Sequence, residues 1–422
     1  MARWANKYVI GITGNIATGK SVVRQMLQHL GAYTIDADGL THQAMSPGAP
    51  AYKPIVETFG QFILNADKTI NRNMLANIVF SNPEALRKLE AITHPVVGQA
   101  IDTLIARAKQ PIIVIEAIKL LEGDLGKSVN AIWVVDAKPQ TQYTRLVGKR
   151  KLSPEDAKQR ILGQPAQSEK LKVARVVINN DGNIEDTWKQ VQSAFAQITK
   201  TPSAAPAVVP APTPPKPVAT PTPPVAKPAA PAVAAPPPSP AVAPVRAEDE
   251  IVSVPAVDTA GVTVKRGMPS NAEVIADYIN KATGQNIGRM DVILIFGQKS
   301  YLVAYDANDA LIGLVGWQVE NLITRVDELY ITASAESSKI IYALIRAIED
   351  ASRELQSEVS FVFLPANTAP ATIAPFLDSG YEETSVKAIK IPAWREAVQE
   401  SSTEGQQILT KKLRKDRVLK PI

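Results

Sequence analysis

The segment Gly14-Asn15-Ile16-Ala17-Thr18-Gly19-Lys20-Ser21 constrains the fold more than any other part of the sequence. It follows a β-rich apolar run, Tyr8–Ile12, and opens a helical pattern over Ser21–Leu30. The two glycines let successive backbone N–H groups turn inward around one anion. The helix that begins near Lys20 aims its positive end at the same place. Lys20 supplies an ammonium that bridges β- and γ-phosphates, and the Ser21 hydroxyl supplies a ligand for Mg²⁺. Strand, loop and helix in this order predict a nucleoside-triphosphate site, formed by the loop and the following Val22.

Around this loop the chain alternates strand and helix patterns. Tyr33–Ile35, Ile112–Glu116, Ala131–Val135 and Val176–Ile178 read as strands, and Leu152–Leu162 and Ile184–Ile198 as helices. Ser153-Pro154-Glu155-Asp156 is a helix start: a capping serine, proline at the first helical position, then acids on the positive end. Such alternation predicts parallel βαβ units and an α/β fold over residues 1–199. Of the 33 prolines, 17 fall between Thr201 and Pro244, in a stretch with two lysines, no acid and no aromatic residue. That composition buries too little apolar area to offset its ordering entropy, so residues 200–249 are expected to be a disordered, extended tether. At 422 residues the chain has room for two to three domains. The second is expected over 250–395, with 396–422 a polar, then basic, tail. Within 250–395, Ala272–Ile279 reads as a helix. Ser300–Tyr305 and Leu311–Val319 form a hairpin across Asp306-Ala307-Asn308-Asp309. Arg325–Ile331 is a strand, Ser338–Leu355 a long helix and Val359–Leu364 another strand.

Composition narrows the chemistry. Zero cysteines exclude disulfide scaffolds, Cys-zinc sites, iron–sulfur clusters and thiol catalysis, and three histidines leave little for a multi-histidine metal centre. A net charge of +5 does not argue for nucleic acid as a partner. The longest apolar runs, such as Pro111–Ile115, are far short of the roughly 20 residues a membrane helix needs. With no leader-type segment either, the expected setting is the cytoplasm, away from membranes.

A phosphate loop does not say where the phosphate goes. No N-K-x-D guanine-reading sequence is present. A small-molecule kinase needs a carboxylate by the acceptor hydroxyl and basic residues in a lid. Thr34-Ile35-Asp36-Ala37-Asp38 closes the strand that follows the loop helix, at the end where ligands of open α/β sheets sit. If the strand continues, Asp36 and Asp38 point to one side, one to deprotonate an acceptor hydroxyl and the other to hold Mg²⁺ through water. The run from Thr144-Arg145 to Arg150-Lys151, followed by Arg160 and Gln164, suits charge neutralisation of a transferring phosphoryl group.

Taken together, these residues resemble the dephospho-CoA kinase family over about residues 7–195. The likeness runs through I-T-G-N-I-A-T-G-K-S, I-D-A-D with His42 four residues on, P-G-A-P-A-Y (47–52), I-N-R (70–72), L-E-A-I-T-H-P (89–95), L-L-E (120–122), R-L-V-G-K-R-K-L-S (145–153) and R-I-L-G-Q (160–164). The resemblance implies the nucleotide-kinase type of phosphate-loop NTPase fold, a parallel sheet with flanking helices. It implies phosphorylation of the ribose 3′-hydroxyl of dephospho-CoA by ATP with Mg²⁺, giving CoA and ADP. By analogy Asp38 is the base, Lys20 and Ser21 serve the phosphates and metal, and Arg150 is a lid arginine. Asp36, His42, Asn71, Arg72, His94 and Glu122 fall on the acceptor side. The chain departs from the family pattern D-x-P-L-L-[FY]-E at Glu116, Ile118 and Lys119, and from its later A-D at Arg175.

The second unit resembles the GNAT acetyltransferases in outline, an α+β domain. That family's [RQ]-x-x-G-x-[GA] turn falls here on Glu336, Lys339 and Ile341. An acid and two side chains where backbone must approach pyrophosphate imply a degenerate, non-catalytic module, one that contacts the kinase half or binds CoA weakly. The alternatives to a dephospho-CoA kinase are another small-molecule or nucleoside kinase, and a regulatory scaffold with a CoA-binding second domain.

Overall fold

Five short apolar segments build the first sheet of the computed structural model: β1 (Tyr8–Thr13), β2 (Tyr33–Asp36), β3 (Ile112–Glu116), β4 (Ala131–Asp136) and β5 (Val176–Asn179). The structure describes residues 3–4, 6–148, 151–200, 259, 261–334 and 336–419. The first sheet runs β2-β3-β1-β4-β5 with every pair parallel. Its inner strands, β3, β1 and β4, read as near-continuous apolar runs because helices cover both faces. Ile10 and Ile12 of β1, all of β3 and Trp133 of β4 are buried. Ile12 stands opposite Glu116, and Asp36 stands opposite Glu116 on the other side, so three strand ends converge beyond the loop. Between β2 and β3 four helices, Ala37–Ala44, Tyr52–Phe59, Arg72–Ser81 and Pro83–Arg107, form the flank beside those ends.

The second sheet has seven strands: β6 (Thr263–Arg266), β7 (Ser300–Tyr305), β8 (Leu311–Glu320), β9 (Ile323–Ile331), β10 (Val359–Pro365), β11 (Glu382–Thr384) and β12 (Gln406–Lys412). Their order is β11-β12-β10-β9-β8-β7-β6. All pairs are antiparallel except β9 with β10, which the helix Ser337–Glu354 connects as a crossover. The helix buries Ile341, Leu344, Ile345 and Ile348, the positions that gave it a helical spacing. The β7–β8 turn closes as its residues demand: Asp306 Oδ1 accepts the N–H groups of Asn308 and Ala310, both at 2.8 Å.

One expectation is corrected. Residues 396–422 are not simply a tail: Gln406–Lys412 is an inner strand of this sheet, paired with both β10 and β11. Ile408 and Leu409 are buried within it, and Lys411 enters the interior because its ammonium donates to the fully buried carboxylate of Glu349 at 2.7 Å. An alternation this short, set among lysines, is masked in composition by the charges around it. The expected tether at 200–249 lies almost wholly outside the described residues.

The two sheets share a core. One apolar cluster takes in Tyr33 and Ile115 from the first, Trp317 and Leu322 from the second, and the face of helix Ser337–Glu354. Polar ties cross with it: Gln25 Nε2 donates to Ser300 Oγ at 3.3 Å and Gln356 Nε2 to the Leu104 carbonyl at 2.8 Å. The Arg107–Asp416 ion pair spans 2.8 Å. The described residues of both halves form one compact unit. Among the described residues no helix is long and apolar enough to cross a membrane.

Candidate active site

The phosphate loop turns as its glycines require. Gly14 and Gly19 have φ of 151° and 99°, and a Cβ on Gly14 would collide with the Val135 carbonyl of β4. Helix Lys20–His29 starts directly at the loop. Lys20 is buried, and its ammonium donates to the carbonyls of Gly14 and Asn15, both at 3.1 Å. The Ile16 N–H donates to Gln164 Oε1 at 2.7 Å and the Asn15 N–H to Gln167 Oε1 at 3.1 Å. Amide oxygens therefore stand at N–H groups suited to phosphate oxygens. The Val22 side chain turns away, to within 3.0 Å of where a Cβ on Gly297 would lie.

Below the loop lies a scaffold built on Arg145, which the sequence places in the basic run suited to a transferring phosphoryl group but which the structure ties to backbone carbonyls. Arg145 Nη1 donates to the carbonyls of Ala17 and Thr18, both at 3.1 Å, and Nη2 to the Asn180 carbonyl at 2.6 Å. Asn180 Nδ2 donates to Thr18 O at 2.7 Å, and Lys170 Nζ to Asn15 Oδ1 at 2.9 Å. Arg145 thus braces the loop's backbone. Arg150, the expected lid arginine, lies outside the described residues.

The acidic pair differs from the expected geometry. β2 ends at Asp36, which caps the next helix: its Oδ1 accepts the Gly39 N–H at 2.9 Å. Asp38 lies in the first turn of helix Ala37–Ala44, so the two carboxylates are not alternate residues of one strand. They are still neighbours. Burial first, then the Asp36 charge, push the Asp38 carboxyl up to about 6. The Ile118 N–H, donating to Oδ2 at 3.1 Å, and the more distant Lys20 pull the other way.

Glu116 ties the floor together. Its Oε2 accepts from Arg24 Nε at 2.7 Å in a pair buried on both sides, and its Oε1 accepts the Ser21 hydroxyl at 3.0 Å. Burial pulls the Arg24 guanidinium down, but Glu116 and Asp36 outweigh it and hold the group above its ordinary value. A single charge at the end of a wholly apolar strand, in register with Asp36, was the available signal for this pair.

The remaining expected residues divide. His42 faces Arg72; burial first, then that charge, lower its pKa, against Asp36 and Glu400. Arg72 is ion-paired with Glu396. Asn71 caps helix Arg72–Ser81, accepting the Met74 N–H at 3.0 Å. Glu122 pairs with Lys119 at 3.5 Å, and His94 lies on the exposed face of helix Pro83–Arg107. Lys20, Ser21, Asp36 and Asp38 are thus brought to one place, while Asn71 caps a flanking helix and His94 and Glu122 are exposed.

Comparison with known proteins bears on the first half. Residues 8–186 match the family described as dephospho-CoA kinase. A protein of Geobacter metallireducens named dephospho-CoA kinase is 42% identical over 198 residues, which is 46% of this chain and 98% of that protein. One of the same name from Aquifex aeolicus is 41% identical over 194 residues, with 46% and 98% covered. Among solved structures, a dephospho-CoA kinase from Campylobacter jejuni is 28% identical, covering 47% of this chain and all of that one, with a TM-score of 0.36. A GNAT-superfamily phosphinothricin acetyltransferase from Sinorhizobium meliloti is 16% identical, covers 38% of this chain and 94% of that one, and gives a TM-score of 0.30.

Proposed function

Because the chain belongs, through residues 8–186, to the dephospho-CoA kinase family, we propose that Asp38 is the base by which it phosphorylates the ribose 3′-hydroxyl of dephospho-CoA. The observation that carries this reading is the half-buried Asp38 carboxyl, raised to about 6, in one cluster of charges with Asp36, Glu116 and Lys20 beside the phosphate loop. A carboxyl so tuned is ionised at neutral pH yet basic enough to take a proton. The 3′-oxygen attacks the γ-phosphorus, its proton passes to Asp38, and the bond to the β-bridging oxygen breaks to release ADP. Lys20 follows the charge on the β- and γ-phosphates, and the loop amides of residues 14–22 hold them. Arg150 is proposed to close over the transferring group. Asp36, His42, Asn71, Arg72, His94 and Glu122 are proposed to line the acceptor side.

The residues present suit Mg²⁺. The Ser21 hydroxyl and the Glu116 carboxylate are hard oxygen donors at the exit of the loop, 3.0 Å apart. Ser21 would hold the ion directly and Glu116 through water. Bound there, the ion neutralises phosphate charge.

The proposed organisation is a kinase domain over 1–199, a tether over 200–249 and a non-catalytic second domain from 250. The second assignment is supported by the turn before helix Ser337–Glu354. Glu336 and Lys339 pair there at 2.9 Å, and the Ser337 hydroxyl donates to the Ser334 carbonyl at 2.8 Å. Side chains fill a turn that pyrophosphate would need as bare backbone. The proposed site of action is the cytoplasm, where ATP is at hand.

The test is product analysis. The chain is incubated with ATP, Mg²⁺ and dephospho-CoA, and phosphorus NMR is recorded. A new 3′-phosphomonoester with equimolar ADP is expected. ADP without that ester, or phosphate on another acceptor in a nucleoside panel, overturns the reading.

A further inference from the structure

Asn321 and Leu322 join β8 to β9, and both have left-handed backbones, with φ of 51° and 63°. Asparagine is at home there, and leucine is not. Asn-Gly would close the same two-residue hairpin more easily. Leu322 is instead held by burial: it is 7% exposed and belongs to the same apolar cluster as Leu40 and Tyr33. Its carbonyl accepts the Glu358 N–H at 2.7 Å. The turn is therefore shaped for what it rests on.

What it rests on is helix Ala37–Ala44. The Asn321 carbonyl accepts from Gln43 Nε2. The Asn321 side chain covers Gly39 so closely that a Cβ there would collide with its amide, and its Oδ1 is buried with no hydrogen-bond partner. Gly39 follows Asp38 directly, and its N–H is the one Asp36 caps. Arg24, Asp36 and Leu40 wall a small cavity on one side, and Asn321 and Leu322 wall it on the other. Glycine is disfavoured inside a helix relative to alanine. Here an alanine would have to push the Asn321 amide aside.

We propose that the Asn321 turn positions the kinase base: it fixes the first turn of helix Ala37–Ala44 and so the direction of the Asp38 carboxylate. The second half of the chain is then a working part of the phosphotransferase. This inference rests on the reading of Asp38 as the base.

The test uses the full chain with Asn321→Gly, Gly39→Ala and the two combined. Glycine at 321 keeps the left-handed backbone and removes only the amide. Each single variant is expected to lower kcat about tenfold, with KM for ATP unchanged. In the double variant the new methyl group occupies the space left by the amide, and most of the lost kcat returns. Wild-type kcat in Asn321→Gly overturns the inference. So does a Gly39→Ala loss that is the same with and without Asn321. Should Gly39→Ala fail to fold, the Asn321→Gly kcat alone decides. Failure of the base assignment shows separately, as full turnover in Asp38→Asn.

Discussion

The Ile118 N–H donates to Oδ2 of Asp38 across 3.1 Å, while the Ile118 carbonyl accepts the Thr13 hydroxyl at the same distance. The loop after β3 is thereby tied both to β1 and to the proposed base. The family pattern has proline at this position, which has no N–H to give. A donor to the ionised carboxylate lowers its pKa, so removing the donor raises it. In Ile118→Pro the carbonyl contact to Thr13 survives and the amide contact is lost. The acid limb of the kcat–pH profile is expected to move up by about 0.5–1 pH unit. The pH dependence of dephospho-CoA-dependent ADP release checks this. An unmoved limb means the contact does not tune the base.

Asp38 also has a stability consequence. Its folded-state carboxyl is raised to about 6, so the folded state holds the proton more tightly than the unfolded chain. Stability is then lost as pH rises from the ordinary aspartate value through about 6, and the loss is complete above it. Asp38→Asn removes the charge. The variant is expected to be more stable than the parent by about 1–2 kcal/mol at pH 7.5, after discounting for partial exposure, and nearly equal at pH 4. Thermal melts at the two pH values read this directly. A variant less stable at pH 7.5 contradicts the raised carboxyl.

Glu116→Ala leaves Arg24 buried without its partner. Breaking a buried pair by removing one member costs about 3 kcal/mol or more. The urea midpoint is expected to fall by that equivalent, with the slope of the transition unchanged. A shift under about 0.5 kcal/mol would mean that the guanidinium finds another partner or reaches water.

Arg145 spans three carbonyls with one planar guanidinium. Arg145→Ala is expected to raise KM for ATP about tenfold while leaving KM for dephospho-CoA nearly unchanged. Arg145→Lys should not rescue it, because an ammonium lacks the fork that reaches all three. Full recovery by lysine would reduce the role of Arg145 to its charge.

Much of the frame was legible in the sequence. The loop between an apolar strand and a helix, the closing strands and the helix over 337–354 are each set by short-range patterns of burial and turn chemistry, and they appear where those patterns put them. The acidic pair was found, but its geometry was not. Whether a strand ends at Asp36 depends on that side chain capping the Gly39 N–H, a choice that alternation alone does not reveal. β12 was missed because Ile408 and Leu409 sit among charges, and Lys411 is buried by virtue of partners distant in sequence, the Glu349 carboxylate and the Ser379 carbonyl. The brace formed by Arg145 and Asn180 is likewise long-range: its donors and carbonyls meet only after the sheet has formed. In the sequence Arg145 belongs to a basic run suited to a transferring phosphoryl group, and nothing local shows that its guanidinium is spent on backbone carbonyls.

The central claim, that this chain phosphorylates dephospho-CoA with Asp38 as base, is tested most directly by coupled ADP release. Wild-type chain and Asp38→Asn are compared with saturating ATP, Mg²⁺ and dephospho-CoA. The account predicts acceptor-dependent turnover in the wild type and a loss of about 10²–10⁴-fold in the variant, with ATP still bound. Turnover in Asp38→Asn equal to that of the wild type would contradict it.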